Sequence, residues 1–123
     1  MTLVFEAYAR LIQFDFYLRR RNFAALYNKV RGYPLRNHPT ENLDADQVCS
    51  AIDVACIWYW KEVLCLQRSA AAVCLLRKHG IAAQMIIGVQ HIPLSSHAWV
   101  EVNGRVIGDK TYITETYAVL DRC

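Results

Sequence analysis

The chain predicts an α+β fold, with helices first and an antiparallel sheet after them, on three observations. Apolar residues recur with helical spacing from the N-terminus to about Lys78. From Ile81 onward the apolar residues fall instead into short runs of strand length and composition. Asn103-Gly104, between two such runs, is a hairpin signal. Helices followed by strands pack as helix on sheet.

Taken in order, Thr2 is read as the cap of a helix running through Phe5, Tyr8, Leu11, Ile12 and Phe16. Its aromatic stripe is assigned to the core; exposure would make it a docking face instead. Asn22 starts a second helix with Phe23, Leu26, Tyr27 and Val30, and Gly32 and Pro34 end it. Residues 32–43 form a polar linker with Pro34, Pro39 and a solvated His38. Asp44 caps the third helix, with Gln47 three residues on to complete a capping box. Val48, Ile52, Ala55, Cys56 and Tyr59 share its inner face, so Cys49 and Cys56 read as buried thiols.

Trp58-Tyr59-Trp60 leads into a fourth helix, from Cys65 to about Lys78, terminated by Gly80. Its buried face is Leu66, Ala70, Val73 and Leu76, with Cys74 close by, and the alanines at 70–72 permit close approach to a sheet. Strands are expected at Ile81–Val89, His97–Val102 and Arg105–Asp109. A last strand is expected within residues 112–121, through Tyr112, Tyr117 and Val119. The order reads as a meander. We expect one compact domain, with residues 1–43 as a helical segment and linker and 44–123 as the core.

Composition bounds the function. In 123 residues, 54% hydrophobic and 20% charged, there is material for one folded domain. The net charge of +3 is mild and Arg19-Arg20-Arg21 is the basic run, so no nucleic-acid partner is expected. Five cysteines without a CxxC pair argue against a disulfide framework and a structural zinc. They suit a reducing, cytoplasmic compartment. Glu6, Arg10, Gln13 and Asp15 interrupt the apolar stretch 3–18, so neither a signal peptide nor a membrane span is expected. The dispersed glycines at 32, 80, 88, 104 and 108 form no phosphate loop, and no cofactor is expected.

Three residues carry the chemistry. Cys65 stands at a helix start, where backbone N–H groups and the dipole favour a thiolate; a free thiol has a pKa of about 8.5 and needs such help. His97 opens a strand and is placed to act as base. Asp109 follows on the next strand, and its role is to orient the imidazole. His79 and His91 read as a helix-end and a loop residue, and zinc binding at Cys65, His97 and Asp109 is the lesser reading.

Hairpin arithmetic tests the acid. A two-residue Asn103-Gly104 turn pairs Val102 with Arg105 and sets Asp109 opposite Ala98, facing away from His97. A three-residue loop with a bulge at Gly104 pairs Glu101 with Arg105, Trp99 with Ile107 and His97 with Asp109. The second register is the predicted one. A bulge at Gly108 is the other way to turn Asp109 around.

The words Cys65-Leu66-Gln67-Arg68-Ser69-Ala70, Leu75-Leu76-Arg77-Lys78-His79-Gly80-Ile81, Ile87-Gly88-Val89 and His97-Ala98-Trp99-Val100-Glu101-Val102, with Gly104, are similar to those of lasso peptide biosynthesis B2 proteins. These belong to the transglutaminase-like, papain-like superfamily. The match covers about residues 48–110. The resemblance implies a papain/transglutaminase-like core with a catalytic helix packed on an antiparallel sheet. It implies a bacterial leader peptidase that cuts a ribosomally made precursor between leader and core. The implied roles are Cys65 as nucleophile, His97 as general base and then acid, and Asp109 as orienting acid. The implied partners are the precursor peptide, a leader-recognition B1 protein supplied in trans, since no room for it is seen before residue 44, and a lasso cyclase. The backbone N–H of Cys65 is one candidate oxyanion donor. Trp99 is read as core.

Three rival readings remain: acyl transfer to an amine by the same triad, a non-catalytic module that binds the precursor, and a general cytosolic peptidase. Product mass separates the first and thiol reactivity the second; the small size of the chain disfavours the third.

Overall fold

The computed structural model describes residues 2–36, 43–91, 94–109 and 113–123. Its helices are α1 (Thr2–Arg19), α2 (Phe23–Arg31), α3 (Ala45–Trp58), α4 (Cys65–Lys78) and α5 (Ile113–Thr116). Its strands are β1 (Gln84–His91), β2 (Leu94–Val102), β3 (Arg105–Ile107) and β4 (Ala118–Arg122), in one antiparallel sheet of order β3-β2-β1-β4. The class is α+β, as expected. The linker residues His38 and Pro39, and Tyr112, lie outside the described residues.

Local chemistry sets most helix boundaries. The Asn22 side chain accepts from Ala25 N at 3.2 Å and starts α2. Asp44 accepts from Gln47 N at 2.8 Å while Asp44 N donates back to the Gln47 side chain at 2.9 Å, so the expected capping box begins α3. Gly80, at φ +84°, closes α4. No helix among the described residues is long and apolar enough to cross a membrane.

α4 is the central element. Gln67 and every residue from Ser69 to Leu76 are buried, so the helix is enclosed nearly all round rather than along one face. α1 and α3 pack on it from one side and β2 and β1 from the other. Its alanine run is what lets the backbones come close. Each fully buried side chain such as Leu75 or Leu76 contributes about 1.5–3 kcal/mol. The sheet has two apolar faces. Met85 and Val100 join the helical core, while Ile86 and Trp99 pack with Ile113, Val106 and Tyr117 on the far face.

Several expectations are corrected. Thr2 lies inside α1 rather than capping it. α1 buries Ala7, Leu11, Phe14 and Asp15; of the expected stripe Leu11 is core and Tyr8 packs against it, while Phe5, Ile12 and Phe16 are exposed. Ile81–Ala83 precede β1 rather than belonging to it, and β2 begins at Leu94. Residues 113–116 are helical, and β4 returns to pair with β1, so the sheet is not a simple meander.

The hairpin is also corrected. Val102 pairs with Arg105, Glu101 with Val106 and Val100 with Ile107 around a two-residue Asn103-Gly104 turn. Both turn residues have positive φ, +54° and +77°, the signature of the turn whose twist matches the strands.

Candidate active site

Cys65 is the first residue of α4 and is exposed. Leu64 precedes it in an extended conformation and supplies no side-chain cap. The first N–H groups of α4 therefore have no side-chain acceptor from the cap position, beside a thiol that would carry negative charge as a thiolate. The other cysteines are poor nucleophiles by placement. Burial pushes the Cys49 and Cys74 thiols up to about 11 and also raises those of Cys56 and Cys123.

His97 lies on β2 opposite Gly88. Its Nε2 is 2.7 Å from Asp109 Oδ2, so the acid and the imidazole form a hydrogen bond. With Nε2 engaged by the carboxylate, Nδ1 is the ring nitrogen left for proton transfer. Asp109 reaches His97 through Gly108, the residue of the second expected route, but by a bend beyond the strand end and not by a bulge within the strand. The strand ends at Ile107, and Gly108 at φ +71° turns the chain so that Asp109 swings to the His97 side.

Arg68 and Cys49 press against this turn. A Cβ on Gly108 would lie 3.0 Å from Arg68 Nη2 and 3.3 Å from Cys49 Sγ. Arg68 is held in turn by Asp53, through Nη2 at 2.6 Å and Nε at 3.1 Å to the same oxygen. It stands one helical turn after Cys65, so α4 carries both the thiol and the support of the acid's turn.

The imidazole is held on its faces as well. Its ring centre is 6.2 Å from that of Trp99 and 5.5 Å from that of Tyr117. Gly88 leaves the space for this layer, since a Cβ there would come within 2.6 Å of the Trp99 ring. Trp99, expected as core, is 1% exposed. It donates from Nε1 to Glu101 at 3.0 Å, and Arg122 donates to the other Glu101 oxygen at 3.1 Å. His97, Trp99 and Glu101 are spaced by two, which places all three on one face of β2. This role of Glu101 and Arg122 was missed from the sequence. The period-two spacing was visible, but Arg122 comes from a strand whose partner was not.

Cys65 and His97 line one small pocket of about 60 Å3, with Tyr27, Leu66 and Ile87 among its walls. Among the described residues no hydrogen bond joins the thiol to the imidazole. The structure thus brings His97 and Asp109 into contact; Cys65 lines one pocket with His97, while the imidazole ring itself packs with Trp99 and Tyr117 on the sheet face turned from the helical core. Among the described residues no group of three or more His, Cys, Asp or Glu side chains converges as a metal site.

The family model of the transglutaminase-like superfamily matches residues 9–122. A stretch of 56 residues, 46% of the chain, is 39% identical to the microcin J25-processing protein McjB of Escherichia coli. That stretch spans 27% of the relative, so the chain corresponds to about a quarter of its length. No solved structure matches the chain.

Proposed function

The chain belongs to the transglutaminase-like superfamily, and from that premise we propose that it is a cysteine peptidase that removes the leader from a lasso peptide precursor. The observation that carries the reading is the His97–Asp109 hydrogen bond, with Cys65 at the start of α4 lining a pocket beside His97. The partial identity to a microcin-processing protein supports the peptide substrate, in agreement with the B2-like words of the sequence.

In this reading Cys65 Sγ gives its proton to His97 Nδ1 and attacks the scissile carbonyl. Asp109 holds the other ring nitrogen and stabilises the imidazolium. The Cys65 N–H, at the uncapped start of α4, faces the developing oxyanion. The imidazolium then protonates the leaving amine, and water, activated by the same ring, hydrolyses the thioester. For this transfer the imidazole, which packs on Trp99 and Tyr117, must turn toward the thiol as substrate binds; catalytic hydrogen bonds commonly form fully only in the complex. Residues 44–123 carry the chemistry, and α1 and α2 buttress α4. A leader-recognition protein presents the precursor, and a cyclase receives the freed core.

Acyl transfer to an amine uses the same three residues. The mass of the product separates the two.

The test is intact mass after brief treatment with limiting iodoacetamide near neutral pH, for wild type and His97→Ala. One fast adduct at Cys65, slowed at least about tenfold in His97→Ala, is expected from loss of the pair. Equal, slow labelling of all five cysteines would overturn the reading.

A further inference from the structure

We propose that the groove between α1 and the 59–64 segment is a substrate subsite, taking a large apolar side chain of the peptide next to an acidic one. The proposal rests on the peptidase reading and extends it to one flank of the nucleophile.

Two adjoining hollows, of about 380 and 230 Å3, share Asp15 and Arg19 as walls. The smaller is lined by Ile12, Phe16 and Trp60, and the larger by Leu18, Lys61 and Leu64. Leu64 is the residue before Cys65, so the groove runs up to the nucleophile. The opposite flank of Cys65 opens on the pocket with His97. A peptide laid across Cys65 therefore has one flank on each side, and the α1 groove is the larger of the two.

The aromatic rings in this groove are exposed yet held. Trp60 is 60% exposed, stacks on Tyr59 at 5.7 Å and lies under the Arg19 guanidinium at 4.9 Å and the Lys61 ammonium at 5.0 Å. Phe16 is 52% exposed and sits under Arg20 at 4.3 Å. Rings fixed before binding lose little freedom on contact, which is how aromatic anchors contribute most to an interface. The groove is concave, as a side-chain subsite requires.

Charge selects the neighbour. Asp15, the acid in the floor, is buried and already engaged by Lys61 at 2.7 Å, Tyr59 at 3.0 Å and Arg19 at 3.6 Å. Among the lining residues Arg19 and Lys61 balance Asp15 and Glu62, and Arg20, over the Phe16 ring, adds one positive charge at the edge of the groove. The cationic heads of Arg19 and Lys61 reach solvent. A carboxylate on the peptide meets these heads without displacing Asp15.

The experiment uses fluorescein-labelled peptides in a Gly-Ser frame carrying Phe-Glu, Phe-Lys or Ala-Glu, titrated into full-length Cys65→Ala protein. In parallel, each unlabelled peptide is tested for slowing iodoacetamide capture of Cys65 in protein with the native thiol. Phe-Glu peptide is expected to bind best and to protect Cys65. Trp60→Ala or Phe16→Ala should weaken binding about tenfold and remove the protection, and Trp60→Phe should restore most of it. Equal binding of the three peptides, or affinity unchanged in both alanine variants, overturns the subsite. So does a dimer of the wild-type chain that Trp60→Ala dissolves, since a second copy would then fill the groove. Cleavage is scored separately on the native-thiol protein. Ring-dependent binding without cleavage sinks the peptidase reading and leaves the groove; cleavage without ring dependence does the reverse.

Discussion

Gly108 decides whether His97 has a carboxylate. The two-residue hairpin alone would leave Asp109 on the face of Ala98, and a left-handed residue at 108 redirects it. Gly104 has nearly the same φ, +77°, but a methyl added there would meet nothing within 4 Å, whereas Gly108 is hemmed in by Arg68 and Cys49. The pair separates backbone strain from site geometry. Gly104→Ala should cost about 1 kcal/mol of stability, the strain of an alanine in that conformation, and leave the Cys65 alkylation rate at the wild-type value. Gly108→Ala should cost at least as much and slow alkylation by about tenfold, because the 2.7 Å His97–Asp109 bond is lost. Urea denaturation and timed alkylation read the two effects. Equal alkylation rates in both variants would mean that the turn at Gly108 does not govern the site. Arg68→Gln, which frees the turn without touching its backbone, should move alkylation in the same direction as Gly108→Ala.

At the scale of elements, β2 is a scaffold for one side chain. Glu101 is 6% exposed, and its two oxygens are taken by Trp99 and Arg122. Glu101→Leu leaves the buried Trp99 N–H unpaired and should destabilise the fold by about 1–3 kcal/mol, while Glu101→Gln, which keeps an acceptor, should cost less. Equal urea midpoints for the two would show that the Trp99 bond carries no stability. Glu101 also explains where the sequence misled. A charge pair between Glu101 and Arg105 argued for the three-residue loop, yet this glutamate is buried and turned to Arg122 on a strand two places away. What remained legible was local. The Asp44–Gln47 box and the Asn-Gly turn involve neighbours a few residues apart, and both formed at the positions the chain marks. In α1, two apolar stripes of equal helical spacing compete, and the choice of Leu11 and Phe14 over Ile12 and Phe16 is made by α3 and α4. Burial of Asp15 on that face depends on Tyr59 and Lys61, far along the chain, which no local pattern announces. For the candidate site, the chain marked Cys65, His97 and Asp109 by motif and order, and left the Trp99–Glu101–Arg122 support to the sheet topology.

The whole molecule is tied together by two carboxylates on α1. Glu6 meets Lys78 at 2.6 Å and His79 at 2.9 Å at the end of α4. Asp15 meets Lys61 and Tyr59 near its beginning, where Gln67 also donates to Leu11 O at 2.8 Å. Burial opposes the charge on both acids, but hydrogen bonds and cations outweigh it: Lys78 and His79 for Glu6, Lys61 and Tyr59 for Asp15. Both carboxyls are thus held below their ordinary values of 4.5 and 3.8. A lowered folded-state value means that the stability from each acid is fully present above its ordinary value and is lost as pH falls through the folded one. Thermal stability should therefore decline as pH drops below about 4.5, and α1 should be the element that loosens first. Asp15→Asn and Glu6→Gln have no such proton to gain. Each variant should melt lower than wild type at pH 7 and show a shallower decline toward pH 3, with the double variant shallowest. Parallel curves for all four proteins would remove these two acids from the linkage. Because α1 also forms one wall of the groove beside Cys65, the same titration should free Trp60 from the Arg19 guanidinium that lies over it. Its fluorescence should change in step with the loss of α1 in wild type, and later, if at all, in the double variant.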